Sequence, residues 1–211
     1  MRNFEPVQIK LVIFDCDGVM FDTKKANTAY YNRILSHFRK PGVTPEQFSF
    51  VQMHTVGDSL AYLFKDDLID LEKVIEQSRN MTYFSFIQYM EIEPCLKPLL
   101  TKLRPLYKTA IATNRTDTMD NILQEHDLEG DFDLVVSALD TDRPKPYPDP
   151  LLKVLNYFSF KPHEAIYIGD STLDEQAAEK AEIPLVAYNN ISLSSDFHIK
   201  SLHEIEEILG I

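Results

Sequence analysis

Five short apolar runs, spaced by helix-length amphipathic segments, restrict this chain more than any other feature. The runs are Ile9 to Phe14, Lys108 to Thr113, Asp133 to Ser137, Glu164 to Gly169 and Pro184 to Tyr188. The amphipathic segments are Leu96 to Tyr107, Asp117 to His126, Pro148 to Tyr157 and Leu173 to Ala181. Continuous β-branched and apolar runs of this length read as strands buried on both faces, which is the habit of parallel sheets. Strands alternating with helices predict an α/β fold, a doubly wound and mostly parallel sheet covered by helices on both faces.

Residues 22–92 break the rhythm and contain no convincing strand. Ala26, Tyr30, Ile34 and Phe38 recur at a spacing of four and share one helix face. Thr44-Pro45-Glu46-Gln47 supplies an N-cap, a proline at the first helical position and a glutamine at the third. Asp58 is placed to cap Leu60 to Phe64, with His54, Thr55 and Gly57 forming the loop before it. Asp70 to Met90 reads as one long, mostly helical stretch, with Tyr83, Phe84, Phe86 and Tyr89 as its core aromatics. The expected organisation is a core domain of residues 1–21 and 93–211, interrupted by an all-helical insert of residues 22–92.

The chain has 211 residues and a formal net charge of −12. That charge opposes broad binding to nucleic acid or to anionic membranes, though it permits one local phosphate site. No apolar run approaches the length needed to span a bilayer. Met1 to Gln8 carries Arg2 but no apolar h-region, so no signal peptide is read there. Two cysteines, Cys16 and Cys95, make no disulfide framework, and the six histidines show no paired metal-ligand spacing. A cytoplasmic protein, monomeric or homodimeric, is the expectation.

In doubly wound sheets ligands bind beyond the carboxyl ends of the strands, so the residue after each apolar run carries the chemistry. The first run stops at Asp15-Cys16-Asp17-Gly18. Two carboxylates at the end of a buried strand repel one another unless a cation or hydrogen bonds compensate, and Mg²⁺ would do so through oxygen ligands. Two other Asp-x-Asp pairs, Asp131/Asp133 and Asp140/Asp142, sit in polar loop sequence and read as solvated turn carboxylates. The second core run ends in Thr113-Asn114-Arg115, where a hydroxyl, an amide and backbone N–H groups suit an anion. Lys145 stands between Pro144 and Pro146, held in a semi-rigid loop as a point charge for phosphate. The fourth run ends in Gly169-Asp170-Ser171-Thr172-Leu173-Asp174. Cys16 reads as a small buried filler. Arg115 is left between substrate and solvent.

Taken together, these segments resemble the haloacid dehalogenase-like (HAD) hydrolase superfamily in its phosphatase branch, near the phosphoglycolate phosphatase and β-phosphoglucomutase-like group. Asp15 to Gly18 matches the DxDG motif, Thr113 the second motif, Lys145 to Asp149 the KPxPD-like third, and Gly169 to Asp174 the GDSxxD fourth. The resemblance implies a Rossmann-like core with a helical cap at residues 22–92. It implies Asp15 as nucleophile forming an aspartyl-phosphate, with Asp17 as general acid and base. Mg²⁺ would be held by Asp15, Asp170 and the main-chain carbonyl of Asp17. Thr113, Asn114 and Lys145 would hold the phosphoryl oxygens, and Asp174 would support Lys145 or a metal-bound water. The cap would close over the site, with the loop around His54 or Lys24 and Lys25 facing a small phosphorylated metabolite. Phosphatase and sugar-phosphate mutase share these residues, and a non-catalytic phosphate-binding protein could retain them. A 2-haloacid dehalogenase would leave Asp17 and Asp170 without purpose. Two positions depart from the family: Tyr107-Lys108 and Glu182 stand where relatives often carry glycine.

Overall fold

The computed structural model describes residues 9–211; Met1 to Gln8, and with them the reading of a missing signal peptide, lie outside the described residues. Six parallel strands form the main sheet. They are β1 (Leu11–Phe14), β4 (Lys108–Ala112), β5 (Leu134–Val136), β6 (Ala165–Gly169), β7 (Leu185–Tyr188) and β8 (Phe197–Ile199), in the order β5-β4-β1-β6-β7-β8. Leu11 pairs with Lys108 on one side and Ala165 on the other, which makes β1 the central strand. All four of its residues are fully buried, so its sequence is a continuous apolar run without alternation.

Helices α6 (Leu96–Leu103), α7 (Met119–Glu125), α8 (Asp149–Phe158), α9 (Thr172–Ala181) and α10 (Ile205–Leu209) complete this unit. Leu151, Val154 and Leu155 of α8 and Ala177, Ala178 and Ala181 of α9 pack with Leu11, Ile13, Ala110 and Tyr167 from the sheet. The small alanines of α9 let its backbone lie close to the strands. From β1 the chain moves outward to β4 and β5, then returns to the far side of β1 and continues through β6, β7 and β8. The direction of winding therefore reverses between β1 and β6, which opens a crevice beyond their carboxyl ends. Asp15 and Asp170 are the residues that follow those two strands.

The chain divides into two compact units, Met1–Phe21 with Ile92–Ile211, and Asp22–Glu91. Short strands β2 (Phe21–Asp22) and β3 (Glu91–Ile92), which lie inside or beside the segment read as strand-free, pair at the two crossing points. The second unit holds α1 (Lys24–His37), α2 (Pro45–Val51), α3 (Val56–Leu63), α4 (Leu71–Asn80) and α5 (Phe84–Ile87). The Thr44/Gln47 capping box at α2 is formed in both directions. The cap of α3 is Thr55 rather than Asp58: the Thr55 hydroxyl accepts from the Asp58 N–H, which starts the helix earlier and puts Gly57 inside it. The stretch from Asp70 to Met90 is mostly helical as expected, in two pieces: α4 ends at Asn80, and Met81–Tyr83 turns the chain before α5. That turn buries Tyr83 and Phe86 against Tyr30 and leaves Phe84 and Tyr89 exposed. No helix among the described residues is long and apolar enough to cross a membrane.

Candidate active site

The turn after β1 is tight. Met20 and Phe21 N–H both reach the Cys16 carbonyl, and Gly18 donates to the Phe21 carbonyl at 2.8 Å. Gly18 sits at φ +82°, and a Cβ there would lie 2.1 Å from Asp170 Oδ2. Only glycine allows this backbone, and only glycine leaves room for the Asp170 carboxylate beside it. Gly169 does the same for Asp174, whose Cβ would be 2.4 Å from an added side chain. Both glycines of the strand-end motifs thus admit carboxylates to the crevice.

One oxygen from each of Asp15, Asp170 and Asp174 lies within 4.8 Å of the others. Lys145 Nζ reaches Asp15 Oδ1 at 2.7 Å and Asp174 Oδ1 at 2.6 Å. It also donates to the Tyr167 hydroxyl at 2.9 Å, and that hydroxyl donates to Asp174 Oδ1 at 2.5 Å. The other Asp174 oxygen accepts from Ser171 Oγ at 2.6 Å and Ser171 N at 3.0 Å. Asp174 is completely buried and serves as the third residue of the α9 capping box. Its oxygens are engaged by Lys145, Tyr167 and Ser171, whereas Asp15 and Asp170 remain the carboxylates that face each other across β1 and β6.

Burial pushes the Asp15 carboxyl up to about 7, against the pull of Lys145 and with a further push from Asp174 and Asp17. Burial and the charges of Asp174 and Asp15 raise Asp170 well above the usual carboxylate range. Burial also opposes the charge on Asp174, but Lys145 and the hydrogen bonds from Ser171 and Tyr167 outweigh it and hold that carboxyl low. Burial alone would lower Lys145; Asp15 and Asp174 raise it instead. Three carboxylates thus cluster beside one lysine that pairs with two of them, and Asp15 and Asp170 are strained in their charged form. Such a set, made of hard oxygen donors, fits a small divalent cation. Burial pushes the Cys16 thiol up as well, which makes it inert at neutral pH.

Thr113 follows β4, its N–H still bonded to the Val136 carbonyl, and its buried hydroxyl accepts from Arg115 N at 3.1 Å. Asn114, expected to hold phosphate directly, has its carboxamide on the main chain of Lys145. Its Nδ2 donates to the Lys145 carbonyl and its Oδ1 accepts from the Lys145 N–H, both at 2.9 Å. The pairing locks the Lys145 loop to the end of β4 and takes the place of a free amide. The Asp17 carboxylate stands apart from the three-carboxylate cluster, bound by Arg115 through Nη2 to Oδ1 at 2.7 Å and Nε to Oδ2 at 2.6 Å.

Two site residues escape the reading of strand ends. Tyr167 lies inside β6, and its signal was a hydroxyl within an aliphatic run, a group that must find a partner when buried. Ser171 is the N-cap of α9 and holds the Asp174 carboxylate, a role not read from the sequence. Glu182, at the end of α9, is in the left-handed region at φ +60°, so it occupies a glycine-type conformation. Tyr107 does not.

The family model for haloacid dehalogenase-like hydrolases matches residues 12–188. The chain is similar to pyrophosphatase PpaX of Bacillus cereus (strain B4264), 29% identical over 181 residues, covering 83% of this chain and 81% of the relative. A HAD-superfamily hydrolase of subfamily IA, variant 1, from Geobacter sulfurreducens superposes with a TM-score of 0.79 at 34% identity, over 96% of this chain and 97% of that one. β-Phosphoglucomutase from Clostridium difficile shares the fold, with a TM-score of 0.83 at 19% identity and coverage of 96% and 97%.

Proposed function

Because the chain belongs to the haloacid dehalogenase-like hydrolase family, we propose that it is a Mg²⁺-dependent phosphatase that hydrolyses a small phosphomonoester through an aspartyl-phosphate on Asp15. The observation that carries this reading is the clustering of Asp15, Asp170 and Asp174 within 4.8 Å of one another, with a single buried lysine paired to Asp15 and Asp174. Gathering three carboxylates beside one cation destabilises a fold unless the site has a use for their charge.

A Mg²⁺ held by Asp15, Asp170 and the Asp17 carbonyl would neutralise the repulsion between carboxylate and phosphate and favour ionised Asp15. An Asp15 oxygen attacks phosphorus in line with the ester oxygen, and the P–O bond to the leaving group breaks. Asp17 gives its proton to the departing alkoxide. It then takes a proton from the water that attacks the acyl-phosphate, which releases inorganic phosphate and restores Asp15. Thr113, whose oxygen accepts from Arg115 N, keeps its own proton to donate to a phosphoryl oxygen. Lys145 supplies positive charge to the transition state. Asn114 serves phosphate binding through the loop it fixes. Tyr167 and Asp174 hold the lysine in place.

The test is phosphate release from a panel of small phosphomonoesters, with pyrophosphate included because of the Bacillus relative's activity. Release by wild type that needs Mg²⁺ and is lost in Asp15→Asn is the expected result. An isomerised sugar phosphate without phosphate release would point to a mutase. Bound Mg²⁺ with no turnover of any ester would overturn the catalytic reading.

A further inference from the structure

Arg115 has no place in the phosphate chemistry above, yet it is among the most constrained side chains of the site. Its side chain is 8% exposed. Its Nη2 donates a hydrogen bond to Asp17 Oδ1 at 2.7 Å, and its Nε lies 2.6 Å from Asp17 Oδ2 in ion-pair contact. Its remaining nitrogen, Nη1, donates to Thr118 Oγ1 at 3.2 Å. The main chain of Arg115 is fixed as well, its N–H on Thr113 Oγ1 at 3.1 Å and its carbonyl accepting from Ala138 N at 2.8 Å. A rigid guanidinium that touches both oxygens of a carboxylate restricts its position more than the single point charge of a lysine does. The site therefore keeps two separate charge systems. Lys145 serves Asp15 and Asp174, and Arg115 serves Asp17.

We infer that Arg115 is a positioning residue that holds the Asp17 carboxyl in the orientation from which it exchanges a proton with the leaving oxygen. This rests on the acid and base role of Asp17 proposed above. General acid catalysis matters most where the leaving group is a poor one, and a small misplacement of the acid is costly. Arg115 thus governs how far the enzyme can tolerate a basic leaving group.

The experiment compares kcat/KM of the Mg²⁺-loaded enzyme for an alkyl phosphate and for 4-nitrophenyl phosphate, whose leaving group departs without a proton. Arg115→Ala is expected to lose about 10²-fold on the alkyl ester and little on the aryl ester. Arg115→Lys, which keeps the charge and most of the packing, is expected to lose in the same direction by a smaller factor. Added guanidinium at millimolar concentration is expected to restore the alkyl ester selectively in Arg115→Ala. In the Asp17→Asn background, Arg115→Ala is expected to leave the alkyl-to-aryl ratio unmoved. Equal losses on both esters in Arg115→Ala and Arg115→Lys would make Arg115 a structural residue and overturn the inference. If Asp17→Asn lowers the alkyl-to-aryl ratio and the Arg115 variants do not, the inference fails and the role of Asp17 stands. If Asp17→Asn lowers both esters equally, the role of Asp17 fails and the inference falls with it.

Discussion

The two units bury polar groups in different ways. Among the described residues of the helical unit, the buried polar side chains are neutral: Thr23, Asn27, Ser59 and Ser78. Asn27 donates to Thr23 Oγ1 at 3.2 Å and accepts from the Tyr83 hydroxyl at 2.6 Å, and Tyr83 in turn packs edge-on to Tyr30. The Tyr83–Asn27 bond joins α1 to the start of α5, and the Asn27–Thr23 bond closes the first turn of α1. The α/β unit buries neutral groups such as Thr113, Asn114 and Ser171 too, but adds the charged Asp15, Lys145 and Asp174. Neutral buried groups are satisfied inside the fold, at a net gain of about 1 kcal/mol per hydrogen bond. Buried charges that outnumber their counter-charges are a standing cost, and the cost is sensitive to protons and to cations. The difference separates a polar network that specifies packing from one that awaits a ligand.

The largest expected effect comes from removing the one lysine of the charged network. Lys145→Met leaves Asp15 and Asp174 buried without their cation, and the loss of stability should reach about 3–5 kcal/mol. Denaturant unfolding should show a greater loss near pH 8 than near pH 5, where the carboxyls can take up protons. A pH-independent loss would mean that the charges are not what the lysine balances.

The second effect is a linkage between Mg²⁺ and pH. A carboxyl near 3.8 in the unfolded chain and about 7 in the fold takes up a proton on folding between those values. The metal-free protein is therefore more stable near pH 5 and loses that increment as pH rises through about 7. Mg²⁺ competes with the same proton. At a hundred times its dissociation constant near pH 8 it should stabilise by about 2.7 kcal/mol, and by much less at the same concentration near pH 5. Melting curves at the two pH values decide this, and an equal shift at both would place the cation elsewhere.

In the helical unit, Tyr83→Phe should cost about 1–2 kcal/mol by stranding the Asn27 carbonyl oxygen. The cost should be the same from pH 5 to pH 8, because no group in that network titrates there. A pH-dependent cost would erase the distinction between the units. The smallest effect is expected at Glu182, a non-glycine residue at positive φ. Glu182→Gly should raise stability by up to about 1 kcal/mol, relieved backbone strain being partly offset by the greater freedom of glycine in the unfolded chain. A loss on thermal unfolding would show that the glutamate side chain makes up for its strained backbone.

Local sequence determined the strands, the helices and the residues at strand ends, because burial leaves a period in the chain. Leu11 to Phe14 is apolar throughout as a doubly covered strand must be, and Asp15 and Asp170 follow apolar runs directly. The same logic reads the Thr44/Gln47 box. It does not locate the break within the mostly helical stretch Asp70 to Met90, where the turn at Met81–Tyr83 buries Tyr83 and Phe86 together. It also misses β8, an edge strand of three residues, too short to display a period.

Partners, by contrast, were decided largely by the tertiary structure, and the Lys145–Asp174 pair was expected only from the family resemblance. Arg115 and Asp17 are 98 residues apart in the chain, and Lys145 and Asp174 are 29 apart. No local pattern relates them; they meet because strand order puts β4, β1 and β6 side by side and ends them at one crevice. The hydrogen bonds that join the Asn114 carboxamide to the main chain of Lys145 likewise have no sign in the local sequence. Composition and periodicity report how each residue stands toward water, whereas a hydrogen bond or an ion pair depends on which two distant segments the sheet brings together. The sequence therefore determined where the chemistry lies, and the fold determined which residue acts on which.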